Sequence, residues 1–155
     1  MVVNKCVEQG IYVILILSLE KDHRPLRSSE LSSILSVSDS YLKKILRKLV
    51  IAGLITSNPG KDGGFQLARS VEEISVYDVY AALEGEECEM KSSGIGDRIF
   101  IYGKAFGQEE NKVVSAFDRA NEAFASELRK LYLSELLSEE YYREGTVKFE
   151  EHINK

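Results

Sequence analysis

The segment SDSYLKKILRKLVIAG, residues 38–53, constrains this chain more than any other stretch, because its apolar and basic side chains separate at helical periodicity. At about 100° per residue, Leu42, Ile45, Leu46 and Leu49 fall in one narrow stripe. Lys43, Lys44, Arg47 and Lys48 fall on the other side, with Ser40 among them and Tyr41 at the edge. Ser38 is placed to cap such a helix, and Gly53 to end it. From Tyr41 to Lys61 every charged residue is basic, although the whole protein has a formal net charge of −5. Local positive charge, whatever the global balance, is what attracts a polyanion.

The neighbouring segments give this helix a setting. A first helix is expected over Lys5 to Glu20, apolar nearly all round in its C-terminal half and therefore buried on more than one side. Pro25 breaks the chain after it. Ser28 is the expected N-cap of a short second helix with Glu30 in its first turn and Leu31, Ile34 and Leu35 inward. Two helices joined by a short turn, the second cationic on its outer face, constitute a helix-turn-helix. After Gly53 come LITS and FQLA, two short strands flanking NPGKDGG, whose residues are hairpin-turn chemistry. A hairpin directly after such a helix is a wing, and Lys61 at its tip is the basic residue expected to reach a phosphate or the minor groove.

A fourth helix starts near Ser75, which has capping-box spacing to Asp78, and stops at Gly85; Val76, Val79, Tyr80 and Leu83 form its stripe. Residues 86–97 read as a loop, and the period of 98–107 is ambiguous. From Glu109 to Leu137 a long helix is expected, with Val113, Phe117, Ala120, Phe124, Leu128 and Leu131 close to a coiled-coil seam. Its spare apolar length argues for a second subunit. The tail from residue 139 is mostly polar and is expected to be loosely ordered. The fold class is thus mainly α. Residues 1–85 form a winged helix-turn-helix domain, and 86–155 hold a loop, a long dimerisation helix and a polar tail.

Composition excludes several alternatives. The run VILILSL, Val13 to Leu19, is too short to span a bilayer, and no signal-peptide pattern surrounds it. Two cysteines are too few for a disulfide framework, so a reduced cytoplasmic protein is expected. GKDGG lacks the Lys-Ser/Thr ending of a phosphate-binding loop, and neither HExxH nor a nucleophile elbow is present. An enzyme is not expected. The acidic excess lies wholly in residues 85–155, where it reads as a solvated surface that also keeps this half off a polyanion.

The blocks SDSYLKKILRKLVIAGLI, GKDGGFQLAR and ISVYDVYAALEG, in this order, resemble the Rrf-type family of bacterial winged-helix transcription regulators, the IscR, NsrR and CymR group. The resemblance covers roughly residues 5–138. It implies a cytoplasmic homodimer on a partly palindromic duplex DNA operator, with the third helix in the major groove and the wing at the adjacent minor groove. It places Ser38, Ser40, Tyr41 and Lys43 where relatives touch bases and phosphates, and matches Gly60, Gly63 and Gly64 to the wing glycines. The candidate DNA-contacting residues are then Ser28, Ser38, Ser40, Tyr41, Lys43, Lys44, Arg47, Lys48, Lys61, Gly63 and Gly64. Cluster-binding relatives carry three cysteines in the loop before the long helix. Here that loop has Cys88 alone, so no iron–sulfur cluster, other cofactor or metal is expected.

Some readings stay open at this level. Cys88 is a candidate redox thiol, but Glu86, Glu87 and Glu89 beside it disfavour the thiolate and make an incidental thiol the better reading. Cys6 reads as core. Ile99, Phe100, Tyr102 and Phe106 suit either a small-molecule effector pocket or, more simply, core and dimer interface. The main rival to a DNA-binding repressor is a winged-helix interaction module that engages a metabolic enzyme or another protein effector through the long helix. A weaker rival is a cluster sensor built on non-cysteine ligands.

Overall fold

A computed structural model of the protein describes residues 3–85 and 106–153. Asn4 opens helix α1 (Lys5–Leu19) by accepting the Cys6 N–H on its side-chain oxygen at 3.4 Å. Val13, Ile14 and Leu17 in its apolar half are buried, as expected. A 3-10 turn, Lys21–His23, follows, with Asp22 and His23 in left-handed backbone at φ 56° and 50°. Neither is glycine, so each costs on the order of 1 kcal/mol unless its surroundings hold it there.

Helices α2 (Ser28–Leu35) and α3 (Asp39–Ile51) form the helix-turn-helix. Ser28, expected as the cap of α2, is instead its first helical residue. Arg27 holds the cap position, and its N–H donates to Glu30 Oε2 at 2.8 Å. The reason lies one residue earlier: two backbone hydrogen bonds tie Leu26 to Phe65 (3.1 and 2.7 Å), fixing where the extended chain ends. Ser38 caps α3 as expected, accepting the Tyr41 N–H at 3.3 Å. Leu42, Ile45, Leu46 and Leu49 are all buried, and Gly53 takes the left-handed position just past the helix at φ 69°.

Strands β1 (Ile55–Asn58) and β2 (Gly64–Leu67) pair antiparallel, with Ile55 opposite Leu67 and Asn58 opposite Gly64. Leu26 adds a further rung beside Phe65. The backbones approach so closely there that a Cβ on Gly64 would lie 2.7 Å from the Leu26 carbonyl. Helix α4 (Val76–Glu84) carries the expected capping box: the Asp78 N–H donates to Ser75 Oγ at 3.2 Å, and the Ser75 N–H to Asp78 Oδ2 at 2.8 Å. It crosses α1 at Gly10, where a Cβ would sit 2.5 Å from Leu83 Cδ1.

The chain divides into two compact units, Met1–Glu86 with Arg129–Lys155, and Glu87–Leu128. Helix α5 (Phe106–Arg129) lies almost entirely in the second. The sequence pattern carries this helix on to Leu137, but it ends at Arg129. Tyr132 is extended and bridges Ser75, with Val76 N–H to Leu131 O and Leu133 N–H to Ile74 O both at 2.9 Å. Leu133, wholly buried, opens a 3-10 turn, Leu133–Leu136. Burying that leucine in the first unit wins over continuing the helix.

The tail also departs from expectation. It forms α6 (Glu139–Glu144) and α7 (Glu150–Ile153), with Val147 paired to the end of α1 between them. Tyr142 and Phe149 pack against the core. Glu20, 2% exposed, accepts hydrogen bonds from Arg24 Nε at 3.1 Å and the Phe149 N–H at 3.3 Å. The apolar residues of a polar-looking tail are what dock it.

Replacing Ser75 by Ala removes the α4 cap and is expected to cost about 1 kcal/mol. Urea unfolding should show a lower midpoint for Ser75→Ala and an unchanged one for Ser57→Ala, whose side chain is exposed on β1.

Candidate nucleic-acid interface

The basic face of α3 is built by its own periodicity. With the leucine stripe inward, Lys43, Lys44 and Arg47 are exposed, as are Ser38, Ser40 and Tyr41 at the helix start. The charges are not equivalent. Lys43 Nζ lies 2.6 Å from Asp39 Oδ2 one turn earlier. The hydrogen bond from Lys43 holds the Asp39 carboxyl below the usual aspartate range. Asp39 therefore stays ionised at the N-terminus of α3, where the helix dipole favours a negative charge. It also offsets part of the Lys43 charge.

Lys48 is directed elsewhere. Its Nζ donates to the Leu83 carbonyl at 2.6 Å, one of the acceptors that the end of α4 leaves over. The structure thus brings Lys43, Lys44 and Arg47 to one surface and ties Lys48 to the underlying helix.

At the wing, Lys61 is exposed at the tip beside Gly60, whose φ is 107°. Gly63 is required by the tightness of the turn, since a Cβ would lie 2.2 Å from the Asn58 carbonyl oxygen. An Arg27 guanidinium N–H donates to the Lys61 carbonyl. Sequence reasoning passes over Arg27. Its only signal is a basic residue next to a helix start, and its role depends on a contact across 34 positions.

The contacts join the wing tip to the start of α2, since the Lys61 carbonyl accepts from Arg27 and Arg27 precedes the first residue of α2. At the start of α3, Asp39 pairs with Lys43.

Within the second unit, α5 leaves much of its seam open. Val113 is 48% and Phe117 49% exposed, Ala120 is exposed, and Phe124 and Leu128 are half-buried. Leu131 lies beyond the helix, where its carbonyl accepts from the Val76 N–H. Cys6, half-buried against the core, donates from Sγ to Glu84 Oε1 at 3.2 Å, and burial followed by this hydrogen bond pushes its thiol pKa up. Cys88, Ile99, Phe100 and Tyr102 lie outside the described residues, and Phe106 is described only as the first residue of α5. Among the described residues no group of three or more His, Cys, Asp or Glu is arranged to hold a metal ion. None of the described helices is long and apolar enough to cross a membrane.

Comparison with known proteins agrees with this geometry. The family model described as Rrf2, iron-dependent transcriptional regulator, matches residues 3–139. The chain belongs to the Rrf2 family. It is 37% identical over 135 residues to YffB of Lactococcus lactis, named as an HTH-type transcriptional regulator, covering 87% of this chain and 86% of that one. To the HTH-type transcriptional regulator IscR of Vibrio campbellii it is 30% identical over 96 residues, 60% of this chain and 57% of the relative. Its fold matches that of CymR, the global cysteine regulator of Bacillus subtilis, with a TM-score of 0.61 at 19% identity, covering 88% of this chain and 95% of that one. Staphylococcus aureus CymR matches with a TM-score of 0.58 at 26% identity, over 86% of this chain and 95% of the other. As an Rrf2 protein the chain is a DNA-binding transcription regulator with a winged helix, and not an enzyme.

The different environments of the α3 cations lead to different expected effects on DNA affinity. Lys44→Ala should weaken binding to an operator duplex several-fold, whereas Lys48→Ala should leave it within about twofold and instead lower the thermal midpoint, having removed a hydrogen bond to a helix end. Fluorescence anisotropy and thermal unfolding on the two variants separate the cases.

Proposed function

We propose that the protein is a cytoplasmic homodimer that represses transcription by occupying a partly palindromic operator, without an iron–sulfur cluster. The observation that carries this reading is the exposed basic face of α3, with Lys43, Lys44 and Arg47, followed by a wing that holds Lys61 exposed at its tip and is tied to the start of α2 through Arg27. Lys44 and Arg47 on α3 enter the major groove with Ser38, Ser40 and Tyr41, and Lys61 reaches the neighbouring phosphates or minor groove. Gly63 and Gly64 serve by letting the wing close tightly over its own strand and over Leu26. Repression is the simplest output of such a dimer, since occupancy of a promoter is sufficient for it.

The open seam of α5 supports the dimer. Val113 and Phe117, each about half exposed, are large apolar residues on one helix face, and a second copy offers the same face in return. The donor set supports a cluster-free protein. Iron–sulfur clusters are held mainly by cysteine thiolates, and the whole chain has two cysteines, of which Cys6 sits half-buried on Glu84. The iron dependence in the family's description therefore does not extend to this chain through a cysteine-ligated cluster.

Selection of bound sequences from a random duplex library should return a palindromic site. On it, Arg47→Ala and Lys61→Ala should each reduce the slope of log affinity against log salt by about one. Unchanged affinity in both variants would sink the assignment. Phe117→Asp places a charge in the seam and is expected to convert a dimer to a monomer in sedimentation velocity. A wild-type protein that sediments as a monomer would instead favour a partner of different sequence on this face.

A further inference from the structure

The connector between α1 and α2 is held in an uncommon conformation. Asp22 and His23 follow one another in left-handed backbone, which Asp and His tolerate better than most side chains but which two successive residues keep only with support from their surroundings. The surroundings act from two sides. On one side, alternate carbonyls of the tail meet the connector. Arg143 O accepts from His23 Nε2 at 3.1 Å, Gly145 O from the Asp22 N–H at 3.0 Å, and Val147 O from the Lys21 N–H at 2.8 Å. The Val147 N–H returns to Leu19 O at 2.9 Å. Gly145, at φ 62°, is pressed so closely that a Cβ would lie 2.1 Å from the Glu20 carbonyl oxygen.

On the other side stands the wing. The His23 carbonyl accepts from Gln66 Nε2 on β2 at 2.9 Å, and Gln66 Oε1 accepts from Asn58 Nδ2 on β1 at 2.6 Å. One glutamine thus ties the connector to both wing strands. A cavity of about 520 Å³ is lined by Tyr142 and Arg143 of the tail and by Gln66, Leu67 and Arg69 at the wing base. The hydrogen-bonded route between the two runs through His23.

We propose that the C-terminal tail is a strap that positions the wing for DNA, with His23 and Gln66 as the positioning residues that transmit it. The inference rests on the reading of Lys61 as a DNA contact. When the strap is displaced, the connector relaxes out of left-handed backbone and the His23 carbonyl leaves Gln66. The wing then loses its brace. Helix α3, capped independently by Ser38, keeps its conformation.

Two full-length variants test this. Gly145→Val drives the tail off the connector, and Gln66→Leu cuts the brace at the wing with the tail in place. In the free protein, both should raise hydrogen exchange at β1 and β2 amides about tenfold while leaving α3 amides unchanged. On the operator, both should weaken binding about as much as Lys61→Ala and lower the salt slope by about one. Combined with Lys61→Ala, they should add little, because all act on the same contact. Wing exchange unchanged in Gln66→Leu would overturn the proposal, as would affinity losses that add in full to that of Lys61→Ala. Should Gly145→Val fail to fold, Gln66→Leu decides. Should the wild-type protein bind no duplex, the DNA reading fails by itself, and wing exchange still decides whether the strap exists.

Discussion

The rung between Leu26 and Phe65 sets the geometry on which both DNA-facing elements depend. Leu26 is fully buried and exchanges two backbone hydrogen bonds with Phe65. Arg27, the next residue, begins the turn into α2, so a single rung fixes where the helix-turn-helix starts and where the wing is rooted. Burying the leucine contributes about 2 kcal/mol, and leaving either buried backbone group unpaired would cost about 1–3 kcal/mol more. The neighbouring Arg24–Glu30 ion pair, with its guanidinium side chain 40% exposed, is worth at most about 1 kcal/mol. Backbone pairing and leucine burial therefore hold this corner, and the ion pairs around it decorate a shape already determined. Gly64 follows from the same rung, since no side chain fits between its Cα and the Leu26 carbonyl.

Charge is then distributed over this frame by what each cation can reach. Lys48 finds the carbonyl end of α4, Lys43 finds Asp39, and Arg24 finds Glu20 and Glu30. These contacts make the basic stretch less uniform than a count of lysines suggests. They also make it more ordered, because Asp39 holds Lys43 in place one turn along α3. An acidic residue inside a cationic face offsets charge there, but at the helix N-terminus the dipole favours it.

Helical periodicity and local caps made α3 legible in the sequence. Its buried stripe, the Ser38 cap, the Ser75–Asp78 box and the glycine at the end of α3 all depend on residues within a few positions of one another. The elements that sequence reading missed depend on partners far along the chain. Leu131 continues the apolar rhythm of α5, yet its backbone pairs with Val76, and periodicity cannot register that competition. Val147 and Phe149 look like isolated apolar residues in a polar tail until Leu19 and Glu20 are seen beside them. Arg27 is one more surface arginine until the wing tip folds over it. Of the candidate site, the exposure of the α3 cations and of the wing lysine was readable. The separate contacts of Lys43 and Lys48 were not.

On the proposed reading, energetics make the α5 seam a requirement of the function. One copy offers Lys44, Arg47 and Lys61 as cations without an acidic partner among the contacts described above, with Lys43 partly offset by Asp39. Each phosphate contact contributes a salt slope of about −0.9, so a single copy resembles a weak, non-specific binder at physiological salt. The acidic excess of residues 85–155 adds no attraction of its own. Joining two copies converts the second binding event into an intramolecular one and doubles the number of phosphates engaged. The same joining fixes the spacing of two recognition helices, which lets a partly palindromic sequence be distinguished from bulk DNA. Phe117 and Val113, on a helix that supplies none of these cations, would then govern affinity for DNA as strongly as the residues that touch it.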